Sequence, residues 1–106
     1  MNRGERRALL HYRLRGYRLV DANARAAGYE LDLVLRRGRR LVVAEVKEKG
    51  GPGFGHPLEM VGPEKQRRVR AAARAWLAAH PEASGLDVSL EAVGVRGRHV
   101  ERVPLT

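Results

Sequence analysis

The chain has no cysteine. That excludes disulfide staples and thiolate chemistry, and it fits a reducing compartment such as the cytoplasm. Histidine is sparse as well. His11, His56, His80 and His99 are scattered without ligand spacing, which argues against a zinc centre. No apolar run reaches the length of a membrane span, and the apolar stretch after the first basic residues is broken by His11 and Arg13. Neither a spanning helix nor a signal peptide is therefore expected. Acidic residues are the minority charge, 12 against 21 basic ones. Lysine itself is scarce. Lys47, Lys49 and Lys65 are the only three, so 18 of the basic residues are arginine. Against that background a lysine draws notice, because it offers a compact point charge where arginine offers a planar fork.

What is present suffices for one domain over residues 1–106, since 43% of the chain is apolar despite 31% charge. The net charge of +9 points to a polyanionic partner, nucleic acid and DNA in the first place. The rival explanation is an arginine-biased composition with a solvated charged surface.

Asn2 followed by Glu5 reads as a capping box opening a helix that runs to about Arg15 and ends at Gly16. Short strands are expected at Tyr17–Val20, Tyr29–Arg36 and Leu41–Lys47. A glycine- and proline-rich loop then spans Glu48–Gly62. Pro63 suits the first turn of a second helix that runs to about His80, with Val69, Ala72, Ala73, Trp76 and Leu77 as its apolar stripe. Lys65 falls on that stripe's face. Two strands, Leu86–Val95 and about Arg98–Val103, close the chain around a turn at Arg96-Gly97. The order α-β-β-β-α-β-β predicts an α/β or α+β layered fold on a mixed sheet.

Two strands carry charge where burial is expected: Glu30-Leu31-Asp32 and Glu45-Val46-Lys47. Charged groups among valines and leucines need a partner that offsets their desolvation. If Gly38-Arg39 is a type II′ hairpin loop, Arg37 pairs with Arg40, and outward counting sets Asp32 opposite Glu45 and Glu30 opposite Lys47. A three-residue loop would instead set Asp32 opposite Ala44. Directly opposed residues have Cβ atoms roughly 4.5–5.5 Å apart, so paired carboxylates there call for a cation between them. Magnesium suits such a site, because it takes oxygen ligands and keeps waters and phosphate oxygens. The plain structural alternative is charge at strand ends, with Lys47 marking where its strand leaves the core.

The motifs also occur together in a recognisable order. Gly4-Glu5, Asn23-Ala24-Arg25, Tyr29-Glu30-Leu31-Asp32-Leu33-Val34, Ala44-Glu45-Val46-Lys47-Glu48-Lys49, Phe54-Gly55, Lys65 and Leu86-Asp87-Val88 follow one another without large insertions. In this the chain resembles the YraN-like family of small bacterial proteins, whose fold is similar to Holliday-junction resolvases and restriction-endonuclease-like nucleases. Two positions depart from the family pattern: Tyr29 stands where the family has glycine, and Lys49 where it has arginine. The resemblance implies a three-layer core with a central mixed sheet flanked by helices. It implies a metal held by Asp32 and Glu45, with the Val46 carbonyl and Glu5 as further ligands, and Lys47 as the catalytic lysine. The metal expected is Mg²⁺ or Mn²⁺.

Other residues have competing roles. Glu5 is either a cap partner or a ligand. Glu30 and Asn23 stand beside the ligands, with a Lys47 partner and a turn asparagine as the alternatives. Arg25, Lys49 and Lys65 are candidate phosphate contacts. So are the basic turn, with Arg37 and Arg40, and the helix arginines Arg67, Arg68, Arg70 and Arg74, all of which would position DNA without reading its sequence. Three functions fit: a metal-dependent endonuclease acting on DNA, with branched DNA among its candidate substrates; an inactive nucleic-acid-binding module of the same fold; and a protein–protein adaptor. A homodimer would match a two-fold substrate.

Overall fold

The computed structural model describes residues 1–49 and 61–105. Most of the glycine-rich stretch, including Phe54-Gly55, lies outside the described residues. The first helix, α1, covers Arg3–Arg13. Three strands follow: β1 (Arg18–Ala26), β2 (Tyr29–Arg37) and β3 (Arg40–Glu48). The second helix, α2, covers Pro63–Ala79, and β4 (Asp87–Arg96) and β5 (His99–Pro104) complete one sheet in the order β1-β2-β3-β4-β5. Neighbours pair antiparallel except β3 and β4, which run parallel and are joined through α2, as a parallel pair requires. This is the mixed α+β architecture expected from the element order.

The helices lie on opposite faces. Ala8, Leu9 and Tyr12 of α1 pack on Leu33, Leu35, Val42, Ala44, Val93 and Val95. Val69, Ala72, Ala73 and Trp76 of α2 pack on Leu31, Val34, Leu41, Val43, Leu90 and Ala92. The sheet is thus covered on both sides, and the near-continuous apolar runs of β2 and β3 follow from that. Trp76 is core, as its stripe position implied, and its indole N–H donates to Asp21 Oδ2 at 3.0 Å.

Local chemistry sets several boundaries. Asn2 and Glu5 form the expected capping box. The β2–β3 turn keeps Arg37 opposite Arg40, with Gly38 at φ +59°, as a loop with glycine first requires. The β4–β5 turn falls one residue later than expected, at Gly97-Arg98, with Arg96 paired to His99. The first strand departs most. A strand was expected at Tyr17–Val20, but β1 continues to Ala26, because pairing with β2 overrides the weak strand preference of Asp21-Ala22-Asn23-Ala24.

Beyond the bulge between Leu19 and Asp21, strand alternation reverses once more in β1 and once in β2, at the same level. Ala22 packs in the α1 layer, yet Ala24 and Ala26 pack in the α2 layer. Likewise Leu33 and Leu35 belong to the α1 layer, and Leu31 to the α2 layer. The residues between are Asn23 and Asp32, flanked by the pairs Ala22↔Leu33 and Ala24↔Leu31. Asn23 has φ +49°, the left-handed region that asparagine tolerates better than most residues. This step carries the candidate site.

Candidate functional site

Asp32 stands at the reversal. The β2–β3 ladder runs from Arg37↔Arg40 to Leu33↔Ala44 and ends there. Turn counting set Asp32 opposite Glu45, and beyond Ala44 the strands instead part. The Asp32 side chain fills the gap, with Oδ2 accepting the Val46 N–H at 2.8 Å. It is through this N–H that Val46 touches Asp32. The expected Glu30–Lys47 opposition does not form, because the reversal carries Glu30 away from β3. Lys47 instead pairs with Gly94 of the parallel neighbour β4.

Glu30 turns towards Glu5. The Asn23 side-chain amide donates to both Glu5 carboxylate oxygens at 3.2 and 3.3 Å, and to Glu30 Oε1 at 3.2 Å. Glu5, Glu30 and Asp32 each offer a carboxylate oxygen, and the three lie within 4.8 Å of one another. Glu5 is buried and also closes the capping box, accepting the Asn2 N–H at 3.0 Å. The two roles weighed for it therefore coexist. The helix start can come this close because Gly4 has no side chain: a Cβ there would lie 3.1 Å from Glu48 Cβ.

The other half of the site comes from β3 and α2. Glu45 is buried, 4% exposed, and Lys65 Nζ lies 2.8 Å from its Oε1. Lys65 reaches it from the first turns of α2, on the sheet-facing side as its spacing indicated. Tyr29, Glu30, Asp32, Glu45, Lys65, Arg68 and Val69 line an open cleft of about 210 Å³. The Arg68 guanidinium stands 5.8 Å above the Tyr29 ring. Tyr29 is thus a wall of the cleft.

Burial first, then the Glu45 charge and to a smaller extent the Glu5 charge, push the Asp32 carboxyl up to about 7, against the Val46 N–H that favours its anion. The neighbouring Lys65, held in contact, is the largest cause that lowers the Lys47 ammonium, with burial next. The Glu45 carboxylate raises Lys65. Glu5, Glu30 and Asp32 offer only oxygen donors, a set that could hold a hard cation.

The structure separates the remaining predicted contacts. Lys49 is exposed just beyond β3, and Arg25 is exposed on β1 opposite Glu30. Arg67 pairs with Glu64 at 3.2 Å on the outer face of α2, and Arg70 donates to the Leu105 carbonyl at 2.7 Å. Arg37 and Arg40 sit at the far end of the hairpin, roughly 15 Å along the strands from Asp32. Arg37 stacks 4.7 Å over Tyr17 and donates to the Arg15 carbonyl at 2.9 Å.

Sequence reasoning missed a second charged cluster, in the α1 layer. Glu91 is buried and accepts from the Tyr12 hydroxyl and from Arg102 Nε at 2.9 Å, while Arg102 lies 4.5 Å over the Tyr12 ring. Burial and the Glu91 charge raise the Tyr12 hydroxyl. The group is closed on itself and reads as a packed ion pair. A carboxylate between Leu90 and Ala92 was its signal.

No helix among the described residues is long and apolar enough to cross a membrane. A family profile matches residues 4–96. A protein of Clavibacter michiganensis is 44% identical over 93 residues, which cover 88% of this chain and 78% of that one. One of Methylobacterium nodulans is 42% identical over 98 residues, 92% and 74% of the two chains. One of Alkalilimnicola ehrlichii is 44% identical over 79 residues, 74% of this chain and 63% of that one. All three are called UPF0102 protein. The motifs of the YraN-like family and the α-β-β-β-α-β-β order agree with these likenesses, and the chain belongs to the uncharacterised protein family UPF0102.

Proposed function

We propose that the chain is a metal-dependent endonuclease that hydrolyses phosphodiester bonds in DNA, branched DNA in particular. The observation that carries this reading is the convergence of Glu5, Glu30 and Asp32 in the neighbourhood of buried Glu45 and of Lys47. Carboxylates gather there in a chain of net charge +9. Asp32, with Glu5, Glu30 and Glu45, would hold the ion. A bound magnesium or manganese ion supplies a Lewis acid and lowers the pKa of the attacking water. Lys47 would orient the attacking water or offset charge on the phosphorane; the water oxygen bonds to phosphorus as the bond to the sugar oxygen of the cut strand breaks, and that oxygen takes up a proton. Lys65 first and then burial lower the pKa of Lys47, which eases the loss of a proton from the amine. Lys65 holds the Glu45 carboxylate in place, and Arg68, Arg25 and Lys49 face the substrate's phosphates. A homodimer would present two such clefts to a two-fold junction.

One observation favours the second reading, a binding module without turnover. Glu45 already has a protein cation at 2.8 Å, so part of the acidic charge is neutralised within the chain.

The test is cleavage of supercoiled plasmid, duplex, single strand, flap and four-way junction in Mg²⁺ and Mn²⁺, with Asp32→Asn and Lys47→Ala alongside. Metal-dependent cutting lost in both variants supports the nuclease. Salt-sensitive binding of all three proteins with no cutting leaves the binding module.

A further inference from the structure

The outer face of α1 is unlike the rest of the surface. Its inner side buries Glu5, Ala8, Leu9 and Tyr12. Outward, four residues apart and hence on one face, stand Leu10 and Leu14, 46% and 75% exposed. Val100 of β5 continues this apolar strip. Arg7, Arg15 and Arg98 stand around it, with His11, and together these residues line a groove of about 110 Å³. Arg15 is fixed there, donating to the His11 carbonyl at 2.9 Å. Arg3 and Arg6 extend the cationic border along the helix, in a second depression shared with Arg7 and Leu10. Among the described residues no carboxylate lines either depression.

An apolar floor inside a ring of guanidinium groups selects its ligand by two requirements at once. Leucine and valine side chains offer nothing to a sugar-phosphate chain, but they gain by covering an apolar side chain. The arginines need anions, and their forks match carboxylates. Burial first, then the Arg15 and Arg102 charges, lower the pKa of His11, against the Glu91 charge that raises it. None of the groove residues lines the cleft beside Asp32, so both sites can be occupied together.

We propose that this groove docks an acidic peptide segment of a partner protein, anchored by one apolar side chain on Leu10, Leu14 and Val100. The inference does not depend on the nuclease reading.

The test is fluorescence anisotropy with three labelled probes on the full chain: an Asp/Glu-rich decapeptide ending in phenylalanine, the same peptide ending in serine, and a single-stranded oligonucleotide of equal charge. Leu14→Gln removes apolar surface without changing charge, and Arg98→Glu reverses one wall. Both positions are exposed, and circular dichroism checks that each variant is folded. The phenylalanine peptide is expected to bind at least about tenfold more tightly than the serine one, a free-energy gap that one buried aromatic group supplies. Leu14→Gln should weaken the phenylalanine peptide about fivefold or more and leave the oligonucleotide unchanged, while Arg98→Glu should weaken the peptide by a similar factor. The proposal is overturned if the peptide fails to bind, if serine replaces phenylalanine without loss, or if either variant binds the peptide like the parent. It is also overturned if Leu14→Gln weakens peptide and oligonucleotide equally, which would make the groove a nucleic-acid contact.

Discussion

Lys65 Nζ stands 2.8 Å from Glu45 Oε1, and the Glu45 carboxylate is buried. The pair therefore competes with any cation that Glu45 would help to hold. Lys65→Met should destabilise the metal-free protein by about 1–3 kcal/mol, because a buried carboxylate loses its partner. The same substitution should tighten Mn²⁺ binding, since the ion no longer displaces an ammonium. Urea denaturation and calorimetric titration read the two effects separately. Adding Glu45→Gln should recover most of the lost stability, and no recovery would mean that the pair is not the cause.

Asp32 gives the metal-free protein a pH dependence of definite sign. Its carboxyl is raised from 3.8 to about 7 on folding, so the protonated form is favoured in the folded state. The associated stability is present below pH 3.8 and is lost as pH rises through 7. Asp32→Asn should therefore be more stable than the parent at pH 8, by on the order of 1–2 kcal/mol after allowance for partial exposure. At pH 4 the two should converge. The check is a series of denaturation curves in chelator, and a parent protein that gains stability from pH 5 to 8 relative to the variant would contradict the assignment.

Glu5 can be divided into its two roles by substituting its partner. Asn2→Ala removes the side-chain cap and should cost about 1 kcal/mol with little effect on metal affinity. Glu5→Gln can still accept the Asn2 N–H but carries no charge, so its loss should fall on metal affinity. Equal effects of both substitutions on Mn²⁺ titration would assign Glu5 to the helix end alone.

Asn23 supplies a backbone test. Its φ of +49° disfavours a β-branched side chain most and glycine least. Glycine and valine both remove the amide between Glu5 and Glu30, so their difference isolates the backbone. Asn23→Val should unfold at lower urea than Asn23→Gly, by about 1–2 kcal/mol. Equal midpoints would mean that the strand regularises when the asparagine is removed.

The sequence made the frame legible where chemistry is local. The capping box at Asn2 and Glu5, Pro63 at the head of α2, the stripe that holds Trp76 and the glycine-first turn at Gly38 each depend on neighbours a few residues away. Lys65 was legible for the same reason, four residues ahead of Val69. What escaped depends on the tertiary pairing of β1. Ala22, Ala24 and Ala26 carry little strand preference, so the long first strand was invisible, and with it the reversal at Asn23. Turn counting therefore sent Glu30 to Lys47, when the twisted strand delivers it to Asn23 and Glu5. The Tyr12–Glu91–Arg102 group escaped because its members lie on three elements brought together only by the sheet.

A sheet covered on both faces works as a partition. Each side chain belongs to one compartment, and a cluster built from both would ordinarily have the wall between its members. The half-turn at Asn23 and Asp32 opens a passage in that wall. Through it Glu5 of α1 and Glu45 of β3 act on the same aspartate, although Glu5 belongs to the α1 layer and Glu45 meets Lys65 of α2 in the other. The fold thereby assembles a many-sided acidic centre from a single thin sheet, and a longer or smoother strand would have kept its charges apart.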